Sequence, residues 1–150
     1  MLLRLVWVFV LLAVSAAAWW LWQRRDGKLQ GVTRAAPRHG ERHLGSATLG
    51  VPLGARATFV QFSSDFCQPC RRASVVLRGL AAELPGVVHV ELDAEEHPEL
   101  TRRFGILRTP TVLLVDVSGE VVGRISGAPT TEQALDALDA VADSTRAAPC

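Results

Sequence analysis

The sequence predicts an α/β domain of order βαβαββα, a central mixed sheet with helices on both faces, preceded by one transmembrane helix. Three observations predict it: an apolar run fills the N-terminus, short apolar runs alternate with helix-period segments from Leu44 onward, and the last two runs are joined by a turn, Asp116-Val117-Ser118-Gly119. With 150 residues, 49% of them hydrophobic, there is material for one core and an appendage.

The appendage comes first. Leu5 to Trp22 is broken only by Ser15, and eighteen helical residues span roughly 27 Å, close to a bilayer's hydrocarbon thickness. Leu2 and Leu3 lengthen the run, and all four tryptophans (Trp7, Trp19, Trp20, Trp22) lie in it, three at one end, where indoles favour the headgroup boundary. A cleaved signal peptide is the other reading, with Ala16, Ala17 and Ala18 as its small-residue site. Residues 23–43 read as a basic juxtamembrane linker, punctuated by Gly27, Gly31, Pro37 and Gly40, with Arg24 and Arg25 as a flank for anionic lipid. The expected location is the cell membrane, crossed once. Arg24, Arg25 and Lys28 outweigh Arg4, so the flanking charge leans toward a cytoplasmic domain.

Charge excludes one function class. Residues 41–150 hold ten arginines against fourteen acidic groups, a net −4. A nucleic-acid partner needs a basic face to neutralise phosphates, so none is expected.

The elements follow in order. Ala57 to Phe62 is a strand; Cys67 to Leu84 is a helix whose Ala73, Val76, Leu77, Leu80 and Leu84 recur at three- and four-residue spacing, ended by Pro85-Gly86. Val87 to Leu92 is a strand, Pro98 to Phe104 a short helix, and Thr111 to Val115 and Val121 to Ile125 two strands. Thr130 to Ala142 closes the domain as a helix capped by Thr130 or Thr131, with Leu135, Leu138 and Val141 inward. The anchor is thus placed at residues 1–22, the domain at 44–143 and a flexible tail at 144–150.

The chemistry is concentrated in Cys67-Gln68-Pro69-Cys70, at a strand-to-helix junction. A helix start offers unpaired N–H groups and partial positive charge, so a thiol there ionises more readily. Cys67, at the outer end, is expected to attack; Cys70, one turn on, is expected to resolve the mixed disulfide. Pro69 suits the first helical turn, where its missing N–H has no partner to lose. Structural zinc would need more ligands than this pair, Cys150 and the scattered His39, His43, His89 and His97 supply, and haem attachment would need histidine where Arg71 stands. A permanent disulfide across so short a loop gains little chain entropy. Copper binding by the same two thiolates stays open as the alternative, although Met1 is the only methionine. Cys150 reads as a bystander on a tail, with intermolecular pairing the other option.

Together, Phe66-Cys67-Gln68-Pro69-Cys70 between strand and helix, Thr109-Pro110 before a later strand, and downstream Gly119 and Gly127 resemble the thioredoxin superfamily over residues 44–143. The resemblance implies a thiol–disulfide oxidoreductase that reduces or exchanges protein disulfides, with Cys67 and Cys70 catalytic and Gln68, Pro69, Thr109 and Pro110 shaping the site. It implies a cis Pro110 facing the cysteines and a Thr109 backbone that pairs with an extended substrate segment. It implies no cofactor and no resident metal. The partners would be protein thiols or disulfides, an electron donor or acceptor not specified by sequence, and membrane lipid. Four positions depart from the family pattern: Phe66 stands for tryptophan, Gln68 for glycine, Gln61 for a buried aspartate, and Glu91 for that aspartate's lysine partner. A neutral amide is no base, so the proton on Cys70 needs another route, through water, Asp65 or Glu91. Asp65 would oppose a thiolate that Arg71, Arg72 and Arg108 would favour.

Overall fold

The computed structural model describes residues 2–23, 29–31 and 42–147. The elements are α1 (Leu2–Gln23), β1 (Leu29–Gly31), α2 (Ser46–Leu49), β2 (Ala57–Ser63), α3 (Gln68–Glu83), β3 (Val87–Asp93), α4 (Pro98–Arg103), β4 (Thr111–Val115), β5 (Val121–Ser126) and α5 (Thr131–Ala147).

The five strands form one sheet in the order β1-β5-β4-β2-β3. β2 pairs in parallel with β3, the relation a helical crossover makes, while β4 runs antiparallel to both β2 and β5. All seven residues of β2 are buried, as expected for a strand covered on both faces. Its alternating side chains divide between two cores. Ala57 and Phe59 join Leu77 and Leu80 of α3 and Ala134, Ala137, Leu138 and Val141 of α5. Val60 and Phe62 join Leu44, Leu49, Phe104 and Ile106 on the opposite face. The mixed sheet with helices on both faces is therefore present.

Turn chemistry sets the joints. Gly86 has φ +80° and its carbonyl accepts from Arg56 N–H at 2.7 Å, which ties the end of α3 to the start of β2. Between β4 and β5, Asp116 Oδ1 accepts from the backbone of Ser118 and Glu120, both at 2.9 Å. Thr130 Oγ1 accepts from Gln133 N–H at 3.2 Å and Gln133 Oε1 from Thr130 N–H at 2.9 Å, a reciprocal capping box that starts α5.

Several expectations are corrected. The stretch assigned to linker contains β1, whose residues pair with Ile125, Arg124 and Gly123 of β5; free edge N–H and C=O groups on β5 supply the reason, since even a sequence without strand period can satisfy them. Ser46–Leu49 is a short helix that the sequence reading passed over. α5 continues through residues 144–147, where the sequence predicts a flexible tail. Leu135 is 38% exposed, and Ala134 and Ala137 take the inward positions beside Leu138 and Val141. Small side chains let α5 approach the sheet closely, and the phase of the helix carries the larger leucine outward. Val76 and Leu84 are only partly buried. Cys150, Arg24, Arg25 and Lys28 lie outside the described residues.

α1 is one continuous helix of 22 residues, about 33 Å long at the standard rise. Among the described residues no helix is long and apolar enough to cross a membrane. The full apolar run Leu5–Trp22 is a property of the sequence, and a bilayer role for it is a proposal.

Candidate active site

α3 begins where β2 ends, and Cys67 is its N-cap: Cys67 Sγ accepts a hydrogen bond from Cys70 N–H at 3.2 Å. The two cysteines are joined in a disulfide. Cys67 is partly exposed and Cys70 is 2% exposed, so an approaching sulfur meets Cys67 first. Gln68 and Pro69 sit in the exposed first turn, with Pro69 where a missing N–H costs no helical bond.

The Thr109–Pro110 peptide is cis. A hydrogen bond of 3.1 Å between Ser64 Oγ and Thr109 Oγ1 joins its loop to the loop that carries the cysteines. Pro110 is buried, and its carbonyl accepts from Gly127 N–H at 2.8 Å. Two large apolar side chains stand out in this region, Phe66 at 98% and Leu107 at 95% exposure. Sequence reading noted Phe66 only as a departure from tryptophan and gave Leu107 no role. Phe66 stands alone among polar and small neighbours, which was its available signal, whereas Leu107 follows Ile106 and carried none.

Behind the cysteines lies a polar cluster on the α3 face of the sheet. Gln61 is fully buried, and its Nε2 group donates toward Ser63 Oγ at 2.7 Å, the Cys70 carbonyl at 3.0 Å and Glu91 Oε1 at 3.1 Å. Its Oε1 faces His89 Nε2 at 3.2 Å. That pattern assigns the amide orientation and places the imidazole proton on Nε2. Glu91 also accepts from Ser63 Oγ at 2.6 Å and Ser74 Oγ at 2.8 Å. Gln61 and Glu91 both reach this site, Gln61 by its bond to the Cys70 carbonyl and Glu91 by lining the pocket that holds the cysteines. His89 and Ser74 were missed: their residue types are common, and only the pairing of β2 with β3 and the packing of α3 bring them in. The four charges offered as modulators of the thiolate are all exposed, and Asp65 and Arg71 line the pocket beside the cysteines whereas Arg72 and Arg108 do not.

Burial pushes the His89 imidazole below its ordinary 6.5, aided by Arg78 and opposed by Glu91. The folded protein thus binds fewer protons than the unfolded chain between that lowered value and 6.5, so stability present above 6.5 falls as the pH drops through this interval. His89→Gln, which keeps a donor for Gln61 Oε1, is expected to lessen the loss. Urea midpoints measured across the acid range for both proteins check this; parallel curves would remove His89 as a contributor.

A disulfide at a helix N-terminus, with one sulfur accessible and the other covered, can open by thiol attack on the outer sulfur and close again by attack from the inner one. Among the described residues no group of three or more His, Cys, Asp or Glu side chains is arranged to hold a metal ion.

Comparison with known proteins agrees with this geometry. The thioredoxin family profile matches residues 51–140. Thioredoxin of Chlamydia muridarum is 39% identical over 69 residues, 46% of this chain and 68% of that protein. Thioredoxin H2 of Arabidopsis thaliana is 34% identical over 73 residues, 49% of this chain, and the match spans only 54% of the plant protein. The solved thioredoxin of Fasciola hepatica superposes with a TM-score of 0.51 at 25% identity, over 58% of this chain and 82% of that one. Mitochondrial thioredoxin 3 of Saccharomyces cerevisiae shares the fold, at a TM-score of 0.51 and 24% identity, over 57% of this chain and 78% of that one. The chain belongs to the thioredoxin family, and its Cys67–Cys70 pair is the redox centre of a thioredoxin-like disulfide oxidoreductase domain.

Proposed function

We propose that the protein is a membrane-tethered thiol–disulfide oxidoreductase that reduces or exchanges protein disulfides through Cys67-Gln68-Pro69-Cys70. The observation that carries the reading is the Cys67–Cys70 disulfide at the start of α3, its outer sulfur open to attack and its loop bonded to Thr109. Reduced Cys67 attacks a substrate disulfide, and Cys70 then displaces it. The backbone of Thr109 aligns an extended substrate by strand-like pairing, while the exposed Phe66 and Leu107 offer it apolar contact. The electron partner is a second dithiol or disulfide couple, and its potential sets the direction of flow.

The tether is α1. Its described apolar residues are exposed, Trp7 at 62%, Leu11 at 62%, Leu12 at 61% and Val14 at 61%, and so much apolar surface on one helix suits lipid. Flanking basic residues favour a cytoplasmic face for the domain.

The test combines both halves. Full-length protein in lipid vesicles is expected to resist alkaline carbonate extraction and to reduce a disulfide-bonded protein added with dithiothreitol. Complete release by carbonate would overturn the tether alone; integration without any reduction would overturn the oxidoreductase assignment.

A further inference from the structure

We propose that Glu91 is the base that takes the proton from Cys70 when the mixed disulfide is resolved, acting through water in the pocket that both residues line. The inference rests on the oxidoreductase reading above and identifies a residue within it.

Gln61 cannot do this work, because an amide does not accept a proton near neutrality. Its geometry serves another end. One nitrogen, Gln61 Nε2, bonds both the Cys70 carbonyl and Glu91 Oε1, so the carboxylate is held within two hydrogen bonds of the resolving residue. Ser63 and Ser74 fix its two oxygens from β2 and α3, at 2.6 and 2.8 Å. These three contacts leave part of a carboxylate's roughly four lone-pair sites unused. Cys67, Cys70, Ser63 and Glu91 line one pocket of about 300 Å³, room for several waters at ~30 Å³ each.

The other titratable groups are less suited. Asp93, next but one on β3, faces the same pocket, but its Oδ1 accepts from the backbone of Glu95 at 2.7 Å and Glu96 at 3.4 Å. Asp65 lines the pocket from the cysteine loop without a bonded link to Cys70, and Arg71 of α3 lines it as a cation. His89 lies across Gln61, bonded to the amide oxygen and not to Cys70, with Arg78 of α3 acting on it electrostatically.

The step balances as follows. Cys70 Sγ–H gives its proton through water to the Glu91 carboxylate. The resulting thiolate pair forms the Cys70–Cys67 bond, the Cys67–substrate S–S bond breaks, and the substrate sulfur leaves as a thiolate that is protonated from Glu91 or solvent. The dithiol is oxidised by two electrons and the substrate disulfide is reduced by two.

The test follows mixed-disulfide formation and decay in full-length protein in detergent, reduced beforehand with dithiothreitol that is then removed, mixed with a disulfide-linked fluorogenic peptide and quenched by alkylation across a pH series. Glu91→Gln is expected to prolong the mixed disulfide about 10²-fold at neutral pH, the low end for general bases. It should flatten the pH dependence of decay and leave formation unchanged, while Glu91→Asp restores part of the rate and its pH dependence. Wild-type lifetime and pH profile in Glu91→Gln, or equal slowing of formation and decay, would overturn the assignment. Should Glu91→Gln not fold, Glu91→Asp decides: a longer lifetime with an altered pH profile supports the role, and an unchanged one overturns it. A wild-type protein that never forms the mixed disulfide at Cys67 would instead sink the oxidoreductase reading itself.

Discussion

Cys67→Ser is expected to bring disulfide reduction by the full-length protein down to the uncatalysed background, whereas Cys70→Ser should stop after one turnover with substrate bound covalently. The two losses differ because the sulfurs differ in access and task. Cys67 caps α3, where its sulfur accepts the Cys70 N–H at 3.2 Å, and it is partly exposed. A thiolate there gains from the helix terminus as well as from that bond. Serine in its place cannot form a disulfide, so no covalent intermediate exists to be resolved. Cys70, 2% exposed, cannot meet a protein disulfide but is placed to attack Cys67 from within. Its removal leaves the first step intact and blocks the second. Non-reducing electrophoresis after alkylation distinguishes the cases: one equivalent of mixed disulfide for Cys70→Ser and none for Cys67→Ser. The reverse pattern would exchange the two roles.

The largest expected loss of stability is at Phe59. Its ring is fully buried among α3, α5 and the sheet, and truncation to alanine should cost about 3–5 kcal/mol, the transfer term plus an unfilled cavity. Against a typical domain stability of roughly 5–15 kcal/mol, that leaves a protein near its unfolding threshold. Phe66→Ala removes the same ring from a site 98% exposed and should move stability by no more than ~0.5 kcal/mol. Its effect is expected on substrate engagement, as a higher KM for a protein disulfide. Urea titrations of both variants, with KM measured for the second, check the contrast. A large stability loss in Phe66→Ala would mean that the ring packs against the domain.

Phe59, Phe62 and Phe66 mark the boundary between what was legible in the sequence and what was not. The short apolar run Ala57–Phe62 identifies a strand, and a strand places Phe59 and Phe62 on opposite faces, since successive side chains point apart. It does not say that both faces are covered, which depends on α3 and α5 on one side and on Leu44, Leu49 and Phe104 on the other. The order of strands and helices, the position of the cysteines at a helix start and the turn at Asp116–Gly119 rest on local preferences, and these are written in consecutive residues. The choice of Ala134 and Ala137 over Leu135 as inward residues depends on how closely a helix approaches the sheet, a distance set by its neighbours.

The cysteine pair and Thr109-Pro110 could be found from sequence because their chemistry and spacing are distinctive. Gln61 and Glu91 could be suspected only as departures from a resemblance, and His89 and Ser74 carried no local signal. Parallel pairing puts Gln61 opposite Glu91, and α3 brings Ser74 and the Cys70 carbonyl onto the same cluster. Sequence by itself determined the order of elements from Ala57 to α5 and the cysteine pair, though not β1 or α2, because backbone preference and thiol chemistry act over a few adjacent residues. Tertiary structure alone decided which carboxylate stands behind Cys70, because hydrogen bonds form between groups about 3 Å apart in space, however far apart they lie along the chain.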